Sequence, residues 1–405
     1  MSWKLARLAD ICEIKLGKTP SRSDKSYWDD EKLGSNIWVS IADLTKLNSR
    51  FIADSKEYIT DKGASLFNPV KAGTLLMSFK LSIGKVAYAN CDLYTNEAIV
   101  ALPIKDGNQI NSDFLFYFLK FYDWDKETEN DVKLKGKTLN KAKLNEIKVP
   151  LPPLSIQQKI VAKLDAIFAE IDKATAAAED NAKNAEALFQ SYLTKVFEVK
   201  EDNFVIKSLL ELANEDCSLS YGIVQPGDDF ENGLPIVRPT NLTKKYISKL
   251  ELKTINPILA DSYRRTTLTG EELLLCVRGT TGTVSISTKE LKGCNVTRGI
   301  VPIRFKTNQI DLDYAYYLFN SSVLQKQIKS KTYGAALLQI NIADVKKLQI
   351  PVPKIEEQKK IVIQLESIKS YIDILKNSQY QKKLFLTDFK QSILKQAFNG
   401  DLVKE

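Results

Sequence analysis

Residues 149–198 and 350–399 align without a gap at a constant offset of 201, with fourteen identities in fifty positions, where unrelated sequences would share about three. Pro150, Pro152, Gln157, Ile160, Val161, Leu164, Ile171, Leu193 and Phe197 recur as Pro351, Pro353, Gln358, Ile361, Val362, Leu365, Ile372, Leu394 and Phe398. The chain is a tandem duplication, and each half closes on the same unit. Such a chain is built to do one thing twice.

Each unit opens on a proline hinge, Val149-Pro-Leu-Pro-Pro in one copy and Ile350-Pro-Val-Pro in the other. Proline imposes extended backbone and ends the preceding domain. Ser155 then reads as a helix cap, and Glu356 with Glu357 places negative charge on the first turn of the second copy. Apolar residues follow at heptad spacing: Ile160, Leu164, Ile167, Ile171, Ala174 and Ala178, then Ile361, Leu365, Ile368, Ile372 and Leu375. This spacing predicts a coiled-coil seam. The first copy turns alanine-rich through 174–187 while the second carries Leu375, Leu384, Phe385 and Leu386. Small residues on one helix facing large ones on the other predict close packing. Each helix, about 44 residues, would span roughly 65 Å. If the helices pack, the second must return along the first, which predicts an antiparallel pair, approximate two-fold symmetry and globular parts at opposite ends of a rod.

The intervening parts, 1–148 and 201–349, repeat more loosely. Gly17 aligns with Gly222, Leu44-Thr45-Lys46 with Leu242-Thr243-Lys244, Gly84 and Val86 with Gly282 and Val284, and Asp113 and Tyr117 with Asp313 and Tyr317. Ile99 and Val100 align with Ile300 and Val301. Anchors are shared while the residues between them differ, which implies one scaffold with two surfaces. Runs 36–41, 74–79, 85–89, 271–277 and 282–286 read as strands; 113–122 and 313–320 read as aromatic-rich helices. The predicted class is α+β, two mixed strand-rich domains held by two long antiparallel coiled-coil helices.

At 405 residues the chain suits two domains plus connecting helices. No apolar run reaches the roughly 18 residues of a membrane span, and Met1–Asp10 lacks the apolar centre of a signal peptide, so a cytoplasmic location is expected. Cys12, Cys91, Cys217, Cys276 and Cys294 never pair as Cys-x-x-Cys, which argues against a zinc knuckle or a disulfide framework; Cys12 and Cys217 read as small buried residues. Histidine is absent, removing the usual general base and imidazole metal ligand. A net charge of +8 suits a polyanion.

Phe79–Lys85 and Val277–Thr283 are basic, glycine-bearing turns between predicted strands, at equivalent places in both halves. Glycine lets backbone approach a phosphate, and Lys or Arg contacts phosphate or reads guanine. Gly84-Lys85 lacks the first glycine and the trailing hydroxyl residue of a nucleotide P-loop. Lys18, Arg22 and Lys25 stand among Tyr27 and Trp28 after the first strand, with Tyr221 and Gln225 in the corresponding region of the second half. Arg238, Asn241 and Lys244 lie beside a strand, and Lys133, Lys135, Lys137 and Lys141 form a further basic run. Leu151-Pro-Pro-Leu154 lacks the polar and aromatic ends of a base-amino methyltransferase motif, and no Pro-Asp dipeptide opens a nuclease motif.

The doubled element 149–161 and 350–362 resembles the specificity subunit of type I restriction-modification systems, and the resemblance covers the whole chain. It implies a target-recognition domain at 1–148, a hinge and central helix at 149–200, a second recognition domain at 201–349 and a distal helix at 350–405. It implies a non-catalytic chain that binds double-stranded DNA, each domain reading half of a bipartite asymmetric target while the helices set the spacer. Two modification subunits would bring S-adenosylmethionine, and restriction subunits ATP and magnesium; no cofactor is expected in this chain. On that scaffold the contacts assigned to DNA are Lys18, Arg22, Lys80, Lys85 and Lys137, then Gln225, Arg238, Asn241, Arg278 and Arg298. Competing expectations are a coiled-coil adaptor binding proteins through its globular ends, and an enzyme using carboxylates such as Asp228, Asp229 and Glu231.

Overall fold

The computed structural model describes residues 3–128, 132–133, 136–137, 139–198, 204–335 and 337–403. Two helices dominate, Leu154–Phe197 and Ile355–Asn399, of 44 and 45 residues. The first begins at Leu154, so Ser155 lies inside the first turn and is not the cap; Glu356 and Glu357 do occupy the first turn of the second. The chain divides into two compact units, 1–177 with 381–405, and 178–380, so each unit holds one half of each long helix. Among the described residues, no helix is long and apolar enough to cross a membrane.

In the first unit a five-stranded mixed sheet runs in the order 15–16, 99–102, 75–78, 86–89, 51–52. Its central strands, Leu75–Ser78, Val86–Ala89 and Ile99–Leu102, are buried along their whole length, matching their continuous apolar composition. A three-stranded sheet of Glu57–Tyr58, Ile37–Val39 and Tyr94–Thr95 lies beside them in sequence and carries Trp38 into the core. The strand expected over 36–41 is shorter, because Ser40 turns the chain into the helix Ile41–Lys46 through a capping box with Asp43. Lys148–Pro150 pairs antiparallel with Leu5–Arg7 in a two-stranded ribbon, where proline's missing N–H costs no ladder bond within a sheet. The aromatic helix Ser112–Phe121 packs on this frame, and Phe398 from the end of the second long helix lies 5.3 Å from Phe114, ring to ring. Ile156, Ile160 and Leu164 join the same core as Ile393, Leu394 and Ala397. The two helix halves are antiparallel here: Asp172 ion-pairs Lys390, while the earlier Lys163 Nζ donates to Leu402 O at 3.0 Å.

The second unit repeats this plan. Val284–Ile286, Leu273–Cys276 and Ile300–Ile303 form an antiparallel sheet, and Lys253–Ile255, Leu234–Val237 and Asn295–Val296 a mixed one. Val205–Ser208 pairs with Gln349–Val352 at the hinge. The helix Leu312–Asn320 meets Phe197 through Tyr314, rings 5.3 Å apart, and Leu193 and Phe197 share a core with Ile361 and Leu365. Glu186 with Lys376, and Phe189 beneath Lys369, again give opposite directions to the two helix halves.

Two further expectations need correction. Leu375, Leu384 and Phe385 are exposed and do not fill space against the alanine-rich stretch; Leu386 is half-buried. Within the first unit Ile160 and Leu164 pack with Ile393, Leu394 and Ala397, and within the second Ile361, Leu365 and Ile372 pack with Phe189, Leu193 and Phe197. Cys12 is buried as expected, whereas Cys217 is only half-buried.

Candidate nucleic-acid interface

Matching hydrogen bonds define equivalent positions in the two units. Phe79 N donates to Ala98 O at 2.9 Å and Val277 N to Gly299 O at 2.8 Å. Leu139 N donates to Phe79 O, and Ile340 N to Val277 O, both at 3.0 Å. Asn96 N donates to Val39 O and Thr297 N to Val237 O, again both at 3.0 Å. Lys80 therefore corresponds to Arg278, and Glu97 to Arg298.

Gly17 and Gly222 hold equivalent close approaches. A Cβ on Gly17 would lie 2.5 Å from Thr95 O, and one on Gly222 1.8 Å from Val296 O, so only glycine lets each segment press onto the strand Tyr94–Thr95 or Asn295–Val296. Lys18 N donates to Thr95 O and Ile223 N to Val296 O, both at 2.8 Å. The Lys18 side chain is exposed, with its Nζ 5.9 Å above the Phe67 ring, and lines a cleft of about 610 Å³ with Phe67, Tyr94, Lys71 and Lys141. Arg22, Lys80 and Lys85 do not line that cleft.

Arg22 is more constrained than a loop cation. Its guanidinium stacks 3.8 Å from Trp28 and 4.8 Å from Trp38, and its Nη2 donates to Glu57 Oε2 at 3.1 Å. Lys80 begins a turn in which Gly84 holds φ +80, a conformation that favours glycine, and Gly84 N closes it on Ser78 O at 2.9 Å. Lys85 N donates to Ser78 Oγ at 2.9 Å, leaving its side chain exposed. Lys137 lies in the short strand Gly136–Lys137, and its side chain falls outside the described residues.

In the second unit Gly279 and Gly282, at φ +90 and +94, shape the turn that carries Arg278. Gly279 N donates to Leu338 O at 2.8 Å, which brings the strand Gln339–Ile340 alongside. Arg278 and Arg298 then line one cleft of about 330 Å³ with Tyr221, Tyr333, Gln339 and Asn341. Val224 is on its wall, and exposed Gln225 follows it. Arg238 adjoins this region through Pro239, which sits against Gly299; its Nε is buried without a hydrogen-bond partner. Asn241 is used locally: its Oδ1 accepts from Arg238 N at 2.8 Å, capping the turn Pro239–Asn241.

Glu97, Gln339 and Asn341 did not stand out in the sequence. Glu97 was findable, because aligning Ile99 with Ile300 places Glu97 near Arg298. Burial pushes the Glu97 carboxyl up, but the Thr19 hydroxyl and the nearby charges of Lys80 and Arg22 outweigh it, holding the group below the usual carboxylate value.

Residues 1–179 and 193–383 match the model of the type I restriction modification DNA specificity domain. Over 332 residues the chain is 25% identical to the type I restriction enzyme EcoBI specificity subunit of Escherichia coli, covering 76% of this chain and 69% of the relative. It is 24% identical to the putative type I restriction enzyme MjaX specificity subunit of Methanocaldococcus jannaschii, over 94% of this chain and 89% of that one. A chain solved for the assembly and conformational transition of the type I R-M system shares the fold at a TM-score of 0.72 and 18% identity, covering 99% of this chain and 98% of that one. The HsdS subunit of Thermoanaerobacter tengcongensis aligns at 0.55, also with 18% identity, over 99% and 97%.

Proposed function

The chain belongs to the type I restriction-modification DNA specificity family, and from its membership in that family of DNA sequence readers we propose how it reads. Each globular part, 1–148 and 201–349, addresses one half of a bipartite asymmetric target in double-stranded DNA. The long helices set the unread spacer and dock two methyltransferase subunits. This chain performs no reaction; S-adenosylmethionine belongs to the modification partner, and ATP with magnesium to a restriction partner.

One observation carries the reading. Equivalent glycine turns present Lys80 in one unit and Arg278 in the other, each beside a residue of different charge, Glu97 or Arg298. A common frame with unlike tips is what two half-sites of different sequence require. Arg278 with Arg298 in one cleft suits guanine edges in the major groove. Lys18, Lys85 and the tract around Lys137 suit phosphates, which position without specifying. Arg22, held against Trp28 and Trp38, acts as a fixed cation, and Asn241 supports the turn beneath Arg238. Exposed Ile363, Tyr371 and Phe385 on the second long helix support the docking of partner chains along it.

The test is Arg278→Ala in the complex with its modification partners, read as a map of methylated adenines. Loss or relaxed reading confined to one half-site, worth about 1–3 kcal/mol per base pair, is expected. An unaltered map overturns the assignment.

A further inference from the structure

Glu97 is an exposed carboxylate with Lys80 and Arg22 as its nearby cations. Ile99 N donates to Asn96 O at 3.1 Å and Ile300 N to Thr297 O at 3.0 Å, so Glu97 and Arg298 occupy the same step of the same turn. The duplication thus sets a carboxylate and a guanidinium at one position of a shared frame.

A carboxylate there is costly if it only faces phosphate, because like charges repel across any approach short enough to make contacts. Lys80 and Arg22 balance part of its charge, but Arg22 is itself paired with Glu57 and, among the described residues, neither is ion-paired to Glu97, so the carboxylate keeps room for a further donor. The Thr19 hydroxyl donates to Oε2 and restrains the carboxylate by that oxygen; among the described residues no other side chain donates a hydrogen bond to it. A carboxylate offers about four lone-pair sites and no donor, so its partner must be a donor. On a DNA surface the donor that suits a carboxylate is the exocyclic amino group of cytosine in the major groove, as guanine suits an arginine.

We infer that Glu97 is a specificity-determining residue that accepts a hydrogen bond from the N4 amino group of one cytosine in the half-site read by the first unit, at the step where Arg298 addresses guanine in the other half-site. Thr19 is its positioning residue. The inference rests on the DNA-reading assignment above and adds a base and a sign of charge to it.

The experiment compares the parental chain with Glu97→Gln and Thr19→Val, each assembled with its modification partners, by mapping methylated adenines and by competition binding to duplexes varied one base pair at a time. Glu97→Gln keeps the shape and adds an amide donor, which suits adenine. Cytosine preference at one base pair should fall roughly tenfold or more while adenine becomes accepted, with the other half-site and the spacer unchanged. Thr19→Val should relax the same base pair to a smaller extent. An unchanged motif in both variants, or binding weakened equally for every sequence, overturns the role of Glu97 and leaves the DNA-reading assignment standing. A parental complex that marks no bipartite target overturns both.

Discussion

Arg50 Nη2 lies 2.9 Å from Asp165 Oδ1, tying a loop of the first sheet to the first long helix. Lys245 makes the equivalent tie to Glu366 on the second long helix. The positions correspond because Arg50 O accepts from Tyr88 N at 2.9 Å and Lys245 O from Ile286 N at 2.7 Å, on neighbouring strands of like sheets. Each cation also reaches the aromatic helix, Arg50 to Asp113 at 3.4 Å and Lys245 to Asp313 at 2.7 Å. Each sits among rings, Phe116 and Tyr117 around Arg50, Tyr246, Tyr316 and Tyr317 around Lys245. For Lys245, burial pulls the ammonium down, but Asp313 and Glu366 more than reverse it, so it stays charged well above its usual range.

Arg50→Ala and Lys245→Ala should each destabilise their own unit by about 1–2 kcal/mol, from lost charge-assisted hydrogen bonds and cation–π contacts discounted for partial exposure. Lys245→Arg should retain most of the stability. Thermal unfolding of the three variants measures the effect, and an Arg50→Ala midpoint equal to the parent would refute it.

Gln157 and Gln358 plug the two hinges in the same way. Gln157 Oε1 accepts from Asn111 N at 2.8 Å, and its Nε2 donates to Gln109 O at 2.9 Å and Pro152 O at 2.8 Å. Gln358 does the same with Asp311 N, Gln309 O and Pro353 O, at 2.8, 2.9 and 2.9 Å. Both glutamines are fully buried. Gln157→Leu keeps the volume but removes three hydrogen bonds to backbone groups, of which the one at Pro152 O is buried and the other two partly buried, at a cost of about 2–4 kcal/mol. Gln358→Leu should cost about the same in the second unit, read as the shift of the urea midpoint.

Glu186 accepts from Lys376 Nζ at 2.7 Å, which outweighs burial and holds the carboxyl below its usual value. A depressed folded value means that the contribution is present above the unfolded carboxylate pKa, about 4.3, and is lost as pH falls through the folded one. Both side chains are more than a third exposed, so the pair is worth a few tenths of a kcal/mol. The melting difference between the parent and Glu186→Gln should therefore shrink between pH 7 and pH 3. A difference that grows on acidification would contradict the assignment.

Burial pushes the thiols of Cys12, Cys276 and Cys294 up, that of Cys12 to about 12. Thiolate is the reactive form, so these three resist alkylation in the native protein. Iodoacetamide at pH 8 should modify Cys91 and Cys217 first, since both are only half-buried, and all five in denaturant. Rapid native labelling of Cys276 would show that its strand opens readily.

Much of the frame is local and could be read from the chain. Heptad spacing describes one helix's own face, so Ile160, Leu164, Ile361 and Leu365 were recognisable as core. Gly84 and Gly282 mark turns because positive φ is a property of a single residue, which made the Lys80 and Arg278 turns visible. Three features were not local. Arg22 is fixed by Trp38, sixteen positions away. Glu97 stands in a turn that meets its hydroxyl partner Thr19 only in the folded chain. The exposure of Leu384 and Phe385 depends on which side of the helix finds a partner, and composition carries no such direction.

The sequence by itself determined the duplication, the two long helices and the two strand-rich parts, because periodicity, proline hinges and obligatory glycines act on near neighbours. Only the tertiary structure decided which partners the repeated elements take. Phe398 packs on Phe114, and Phe197 on Tyr314, so each repeat's helix end is buried against the aromatic helix of the other repeat. At these ends both copies carry the same apolar residues, Leu193 with Phe197 and Leu394 with Phe398, so the choice between them belongs to chain direction and long-range burial.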